Sequence, residues 1–427
     1  MQFLYPLLTF LQPGILWSAL AEYRIMQIAS LFAFVAAFAR PALYPRTKPF
    51  KNLVFVWLCC FLFVQVISVY YGGLDAVLDE FWFWLPFFMF MVVSVLLIRD
   101  DVALKRYISG MSWGCLFVVC YGIYMAIFEG GYSEGTYENT GRAGAYGMYL
   151  NHNDYTFIVI QILPFLFTLR RIETGFFRRL IFLLGMLACV LGVFLSLSRG
   201  GILALVLEFT LILFIAMKGK RRFLWLPVLA VVAIVAIAYL WKARAENQPG
   251  DYDAKAAESS RFEFWESGLL MLEKHPLLGV GSRRFSEYSA FYGEITSFRI
   301  GRNSHNTYIE ILAGSGVLGF VPFMLFAYML IKEMHRRPPK QAPPLLEAVR
   351  TATLISFYSL LFRAFLDAKM YDWSFYTLCA LAVTYSVLRQ HYSSLPDNAT
   401  KNKLIDIYDA LPMHNKLKDA KATRMKC

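Results

Sequence analysis

The amino-acid sequence predicts an all-α polytopic membrane protein of about twelve transmembrane helices, with a helical external loop between the ninth and the tenth. Three observations lead there. Hydrophobic residues make up 58% of the 427 and charged ones only 17%, too apolar a composition for one soluble core. The apolar residues are grouped in blocks of about 20, the number a helix needs to cross a hydrocarbon core roughly 30 Å thick. Lysine and arginine collect in alternate loops, as they do on the cytoplasmic side of membrane proteins.

In chain order the spans fall at 3–20, 25–40, 52–71, 81–98, 107–128, 155–169, 180–196, 201–217, 223–241, 307–331, 351–366 and 373–388. The first two are short and interrupted by Pro13 and Gly14, and read either as one hairpin or as an interfacial pair. No small-residue cleavage site follows the first apolar segment, so it reads as an uncleaved anchor.

The basic loops carry Arg40, Arg46, Lys48 and Lys51; Arg99, Lys105 and Arg106; Arg170, Arg171, Arg178 and Arg179; Lys218, Lys220, Arg221 and Arg222; and Lys332, Arg336, Arg337 and Lys340. These are expected inside, with both termini. The loops between them hold Asp75, Asp79 and Glu80, then Glu129, Glu134 and Glu138, then the turn LSRGG, a long segment at 242–306 and a short turn at 367–372. The net charge of +12 follows from this bias and from a basic tail, so no nucleic-acid partner is needed to account for it. Residues 1–388 are read as the transmembrane domain and 389–427 as a disordered basic cytoplasmic tail, polar and without an apolar face to pack. Six of the seven cysteines fall within spans and Cys427 ends the tail, which leaves no pair for an external disulfide and no zinc spacing. No internal repeat stands out, nor the inverted halves of a secondary transporter.

The candidates for chemistry lie on the external side. In LSRGG (197–201), Arg199 sits where one span ends and the next begins. A guanidinium at that depth either snorkels out as a plain helix end or lines an aqueous cavity for a ligand. In the long external segment, RFEFWESGLLMLEK (261–274) spaces Phe262, Trp265, Leu269 and Leu272 at helical intervals, which predicts an amphipathic helix along the membrane surface. Ser259 or Ser260 would cap it and place Arg261 in its first turn. HPLLGVG (275–281) ends that helix and allows tight turns at Gly279 and Gly281. Arg283, Arg284, Arg299 and Arg302 then accumulate against the positive-inside trend, which calls for an anionic ligand, lipid headgroups or plain solvation.

The stretch NSHNTYIEILAGSGVLG (303–319) places His305 just before the tenth span, where a neutral imidazole could take a proton from a hydroxyl. The plainer reading is a helix cap, for which Ser304, Asn306 and Thr307 serve equally well. GSGVLG matches G-x-G-x-x-G, but no strand precedes it and it falls inside a span, so the small residues are assigned to close packing. Glu310, costly in lipid, is expected to face the interior and meet a cation or a donor. Two further clusters are Arg142, His152 and Asp154 in NTGRAGAYGMYLNHND (139–154), and Asp367, Lys369 and Asp372 with Arg363 one turn inside. In the first a His-Asp pair can be catalytic, although coincidence in a surface loop is the plainer reading, and the second can satisfy itself by ion pairing.

Together, SLSRGG at a span start, SSRFEFWESG in an external helix, the HPLLGVG turn and SHNTYIEILAGSGVLG resemble the O-antigen ligase and O-antigen polymerase superfamily. The motifs cover roughly 140–330, and the span layout covers the whole chain. The resemblance implies an inverting, metal-independent glycosyltransferase without cofactor. It would act on the periplasmic face of the bacterial inner membrane, in lipopolysaccharide or other polysaccharide biosynthesis. The implied donor is a glycan on undecaprenyl diphosphate, and the acceptor is lipid A core in the ligase branch or a second lipid-linked repeat unit in the polymerase branch. Carried over by motif, Arg199, Arg261 and Arg284 are expected at the donor diphosphate and His305 as the group that activates the acceptor; Arg142, Glu310 and Asp372, singled out from the residues themselves, are expected in support. Between the branches the reading favours the ligase. A lipid-linked glycan transporter would share the arginines but would not need His305, and a non-catalytic assembly protein would tolerate the loss of both.

Overall fold

The computed structural model describes residues 1–17, 23, 25–39, 49–131, 142–217, 219, 223–232, 234–235, 238, 254–293, 302–368 and 371–395, with the side chains of 49 and 254–260 excepted. Among these residues the chain is helical and forms no strand. The helices are α1 (Leu4–Leu11), α2 (Pro13–Leu16), α3 (Ile25–Phe38), α4 (Leu53–Ile67), α5 (Gly73–Leu97), α6 (Asp101–Phe128) and α7 (His152–Ile172). They continue with α8 (Phe176–Leu195), α9 (Arg199–Ala216), α10 (Ala254–Lys274), α11 (Phe285–Tyr292), α12 (Thr307–His335), α13 (Pro344–Ala364) and α14 (Trp373–Ser394).

Among the described residues seven helical stretches are long and apolar enough to cross a membrane, against the twelve spans expected. The difference has particular causes. The N-terminal helices at Leu4–Leu16 and Ile25–Phe38 are apolar but short. The 45-residue stretch Leu53–Leu97 is divided by a turn at 68–72 into α4 and α5, which pack against each other. The expected ninth span, 223–241, lies partly outside the described residues. α14 is long enough but more polar, because its neighbours bury Tyr376, Thr377, Thr384, Tyr385 and Ser386 and it need not satisfy lipid. α7 and α13, the most enclosed of the seven, pack along each other at the centre. Gly122 and Gly192 leave room there for the Tyr155 ring, whose hydroxyl donates to the Val119 carbonyl at 2.7 Å.

The bundle has two polar ends. At one, Arg99 donates to the Ala37 carbonyl, Tyr392 to Asp101 and Gln341 to the Tyr392 carbonyl, while Arg389 pairs with Glu333 at 3.0 Å. Basic residues from loops expected on one side meet here. These contacts also carry α14 through Ser394, so the segment read as a tail from 389 begins as helix. Residues 396–427 lie outside the described residues, as do Arg40, Arg46, Lys48, Lys218, Lys220, Arg221, Arg222, Glu134, Glu138, Arg299 and Lys369.

At the opposite end α10, the 276–281 turn and α11 dock on α12. Gly316 interrupts α12 with φ 60° and ψ −162°, a conformation open to glycine. The break frees main-chain groups for the 276–281 turn: Val280 and Gly281 donate to the carbonyls of Ala313 and Gly314, and Val317 and Leu318 donate to those of Pro276 and Leu277. Any side chain on Gly279 or Gly316 would collide with this main-chain pairing. The small residues of GSGVLG thus admit a loop, besides the helix contact made where Gln65 of α4 donates to Ser315 at 2.8 Å.

α10 differs from expectation in its start. It begins at Ala254, because the run AKAAES has good helix formers and no breaker, so Arg261 lies two turns in and Ser259 and Ser260 are inside the helix. Its buried face is Phe264, Ser267, Gly268 and Met271, packed on α11 and α12 with Phe285 and Ala313. Phe262 and Leu269, of the stripe expected to lie along a membrane surface, are exposed.

Candidate functional site

The site is built where α9, α12 and α13 end. Ser198 caps α9: its hydroxyl accepts from the Gly201 N–H at 3.1 Å and donates to Asn153 Oδ1 at 2.7 Å. That cap fixes Arg199 as the first residue of α9, half-buried at the turn. The two glycines after it are steric requirements. A Cβ on Gly201 would meet Thr156 of α7, and one on Gly200 would overlap the Arg363 guanidinium.

Arg363, at the end of α13, is 1% exposed, with its guanidinium 4.6 Å over the Phe157 ring. It donates to the Asn153 carbonyl at 3.1 Å and lies 3.9 Å from Asp367 Oδ2. The other carboxylate oxygen of Asp367 is 3.5 Å from His305 Nδ1, an ion-pair separation rather than a formed hydrogen bond. The Asp367 carbonyl accepts from both the N–H and the hydroxyl of Thr307, which ties the 365–368 turn to the start of α12. One acidic residue thus joins the imidazole to the arginine that touches LSRGG.

His305 is held from its other side. Asn306 caps α12 by accepting from the N–H groups of Tyr308 and Ile309. His305 precedes it at φ 52°, a left-handed conformation unusual for a non-glycine residue. Buried Glu310 sets this turn, accepting from Ser304 Oγ at 2.6 Å and from the Ser304 N–H at 3.2 Å. The Ser304 carbonyl accepts from Trp265 Nε1 of the external helix at 3.1 Å. Arg261, one turn before Trp265, is close enough to Arg363 for their charges to repel, while Asp154 and Asp367 attract the same guanidinium.

Arg283 and Arg284 part company. Arg283 makes a two-pronged pair with Glu80, Nη2 to Oε2 at 2.8 Å, under the Phe83 ring at 3.7 Å. Arg284 runs back over Gly281 to Gly72, where its guanidinium lies against the turn between α4 and α5. Among the described residues Arg284 has no ion pair. Arg142 donates to the Ser196 carbonyl at 3.1 Å, and Ala143 N–H to that of Leu195, so the 142–150 loop straps the LSRGG turn. His152 Nδ1 meets the Ala143 carbonyl at 3.0 Å in the same strap. Asp372 accepts from the Ser374 N–H at 2.7 Å as the cap of α14, near Tyr149.

The structure therefore brings Arg199, Arg261, His305 and Glu310 to one end, with Arg142 behind the turn. Sequence reasoning missed Asp367 and Arg363 as members of the site, having read them only as a self-satisfying pair. The available signal was an arginine one turn inside a span, a costly place for a charge.

Fold and site define a multi-pass membrane protein with a cationic, histidine-bearing site at one end of its bundle. Residues 184–324, from α8 to the middle of α12, match the O-antigen ligase family model. No curated protein matches the chain. The matched segment holds Arg199, Arg261, Arg284, His305 and Glu310, and leaves Arg142, Arg363, Asp367 and Asp372 outside.

Proposed function

We propose that the protein moves a glycan from undecaprenyl diphosphate to a hydroxyl of lipid A core, on the periplasmic face of the bacterial inner membrane, by an inverting reaction that needs no metal or cofactor. The observation that carries this is the series His305, Asp367, Arg363 and Gly200, which joins a base to the Arg199 turn within one contact network.

In the reaction the acceptor oxygen bonds to the anomeric carbon and gives its proton to His305. Nδ1 faces Asp367, so Nε2 is the nitrogen presented to the acceptor, and the carboxylate steadies the imidazolium that forms. The bond from the anomeric carbon to the diphosphate oxygen breaks, and undecaprenyl diphosphate leaves with the electron pair. Arg199, Arg261 and Arg284 take up the charge on the leaving group. Guanidinium groups bind phosphate in two-pronged fashion and stay charged at any working pH, so they can do what a divalent cation does elsewhere. Arg142 and Glu310 support the site by holding the two turns that carry Arg199 and His305.

The test is transfer in liposomes. Purified protein receives a defined undecaprenyl-diphosphate glycan, with lipid A core or with donor alone, and products are resolved by gel and mass spectrometry. Glycan on the core supports the ligase reading. A ladder of longer lipid-linked chains moves the protein to the polymerase branch, and donor consumption in neither arm contradicts the transferase reading.

A further inference from the structure

The opposite end of the bundle holds a second polar feature that the transfer reaction does not use. A cleft of about 220 Å³ opens between the ends of α4, α12 and α14. Lys51, Lys332 and Arg336 line it, with the polar side chains of Asn52, Ser386 and Gln390. All three cationic side chains are exposed, so they are accessible to a ligand. The one carboxylate in the cleft, Glu333, is already divided between Arg336 at 3.0 Å and Arg389 at 3.0 Å. Three lining cations against one carboxylate leave the cleft positive.

The surroundings distinguish what kind of anion fits. α12 is 29 residues long and one of the stretches able to cross a membrane, and the cleft lies at its end, where headgroups begin. The Lys332 ammonium sits 5.6 Å over the ring of exposed Tyr328, one turn nearer the apolar part of the helix, as interfacial aromatic residues do. Below the cleft the same helices expose apolar side chains, Val56 and Phe63 on α4 and Val321 and Met324 on α12. A soluble phosphate has no use for such a surface, whereas acyl chains do.

We infer that this cleft binds the phosphate headgroup of an anionic phospholipid, with the acyl chains lying on α4 and α12. Basic pockets between membrane helices are suited to such headgroups, each cation near the surface adding to the attraction. The inference is independent of the transfer reading.

Full-length protein in nanodiscs of phosphatidylcholine with a minority of cardiolipin tests it, with retained lipid identified by native mass spectrometry. The wild type is expected to keep cardiolipin in preference to phosphatidylcholine. The Lys51→Gln/Lys332→Gln pair is expected to lower that preference roughly tenfold, and Lys51→Arg/Lys332→Arg to keep it. Both lysines are exposed, and an unchanged melting temperature in neutral lipid checks that the fold survives. Equal cardiolipin retention by wild type and the glutamine pair overturns the inference. A second arm adds inorganic phosphate to nanodiscs of phosphatidylcholine alone. Thermal stabilisation there that the glutamine pair abolishes would assign the cleft to a soluble phosphate and overturn the lipid reading.

Discussion

Asp367 Oδ1 stands 3.5 Å from His305 Nδ1, although they are 62 positions and two long helices apart in the chain. With the carboxylate at Nδ1, Nε2 is the nitrogen left to face the acceptor in the proposed transfer. Asp367→Asn keeps the shape but removes the charge that steadies the imidazolium. The expected result is a fall in kcat of roughly 100-fold with little change in KM for the donor. Steady-state transfer kinetics separate the two; a change confined to KM would make Asp367 a structural residue.

Gly200→Ala puts a methyl group where the Arg363 guanidinium lies. The guanidinium must move, and Asp367 loses its second partner. Transfer should fall at least tenfold, about 1.4 kcal/mol in barrier height. Gly175→Ala, whose nearest neighbours are Arg178 side-chain carbons 3.9 Å away, is the control and should leave transfer unchanged.

Adjacent arginines should behave oppositely. Arg283→Ala leaves buried Glu80 with the Trp84 Nε1 donor but without its counter-charge and should destabilise the fold by about 2 kcal/mol, seen as a lowered melting temperature in detergent. Arg284→Ala should leave melting unchanged and weaken donor binding, read as a raised KM. Identical melting of both variants would contradict the division of labour.

Tyr371 gives a pH dependence. Burial, with Glu310 and Glu80 nearby, pushes its phenol well above the ordinary 10.0, against a smaller downward pull from Arg283. The folded chain therefore keeps this proton after the unfolded chain has released its own, and stability is lost as pH rises above about 10. Tyr371→Phe cannot titrate, so its melting temperature should fall less steeply than the wild type's above that pH. Parallel slopes would contradict the assignment.

The sequence carried the helices and the site unevenly, for physical reasons. Arg199 and His305 stood out because a charge or an imidazole at a span boundary has few neutral explanations and their flanking motifs are local. Asp367 and Arg363 were visible as a pair, but their link to His305 depends on α13 folding back beside α12, which no spacing encodes. The external helix was legible as a helix. Its packed face was not, because Phe264 and Met271 are selected by the Gly314–Gly316 break in α12 rather than by the regular stripe of Phe262 and Leu269. Glu310 was correctly placed inside, since an ionisable group there must find a donor, but that donor, Ser304, lies on the turn that also positions His305.

The central claim is that His305 takes the acceptor's proton, and a single-turnover transfer assay in liposomes with His305→Ala tests it most directly. With donor binding shown to be intact by competition, the account predicts a loss of transfer of about 100-fold or more, while Asn306→Asp, which preserves the helix cap beside it, retains most of the activity. Transfer by His305→Ala at the wild-type rate would contradict it.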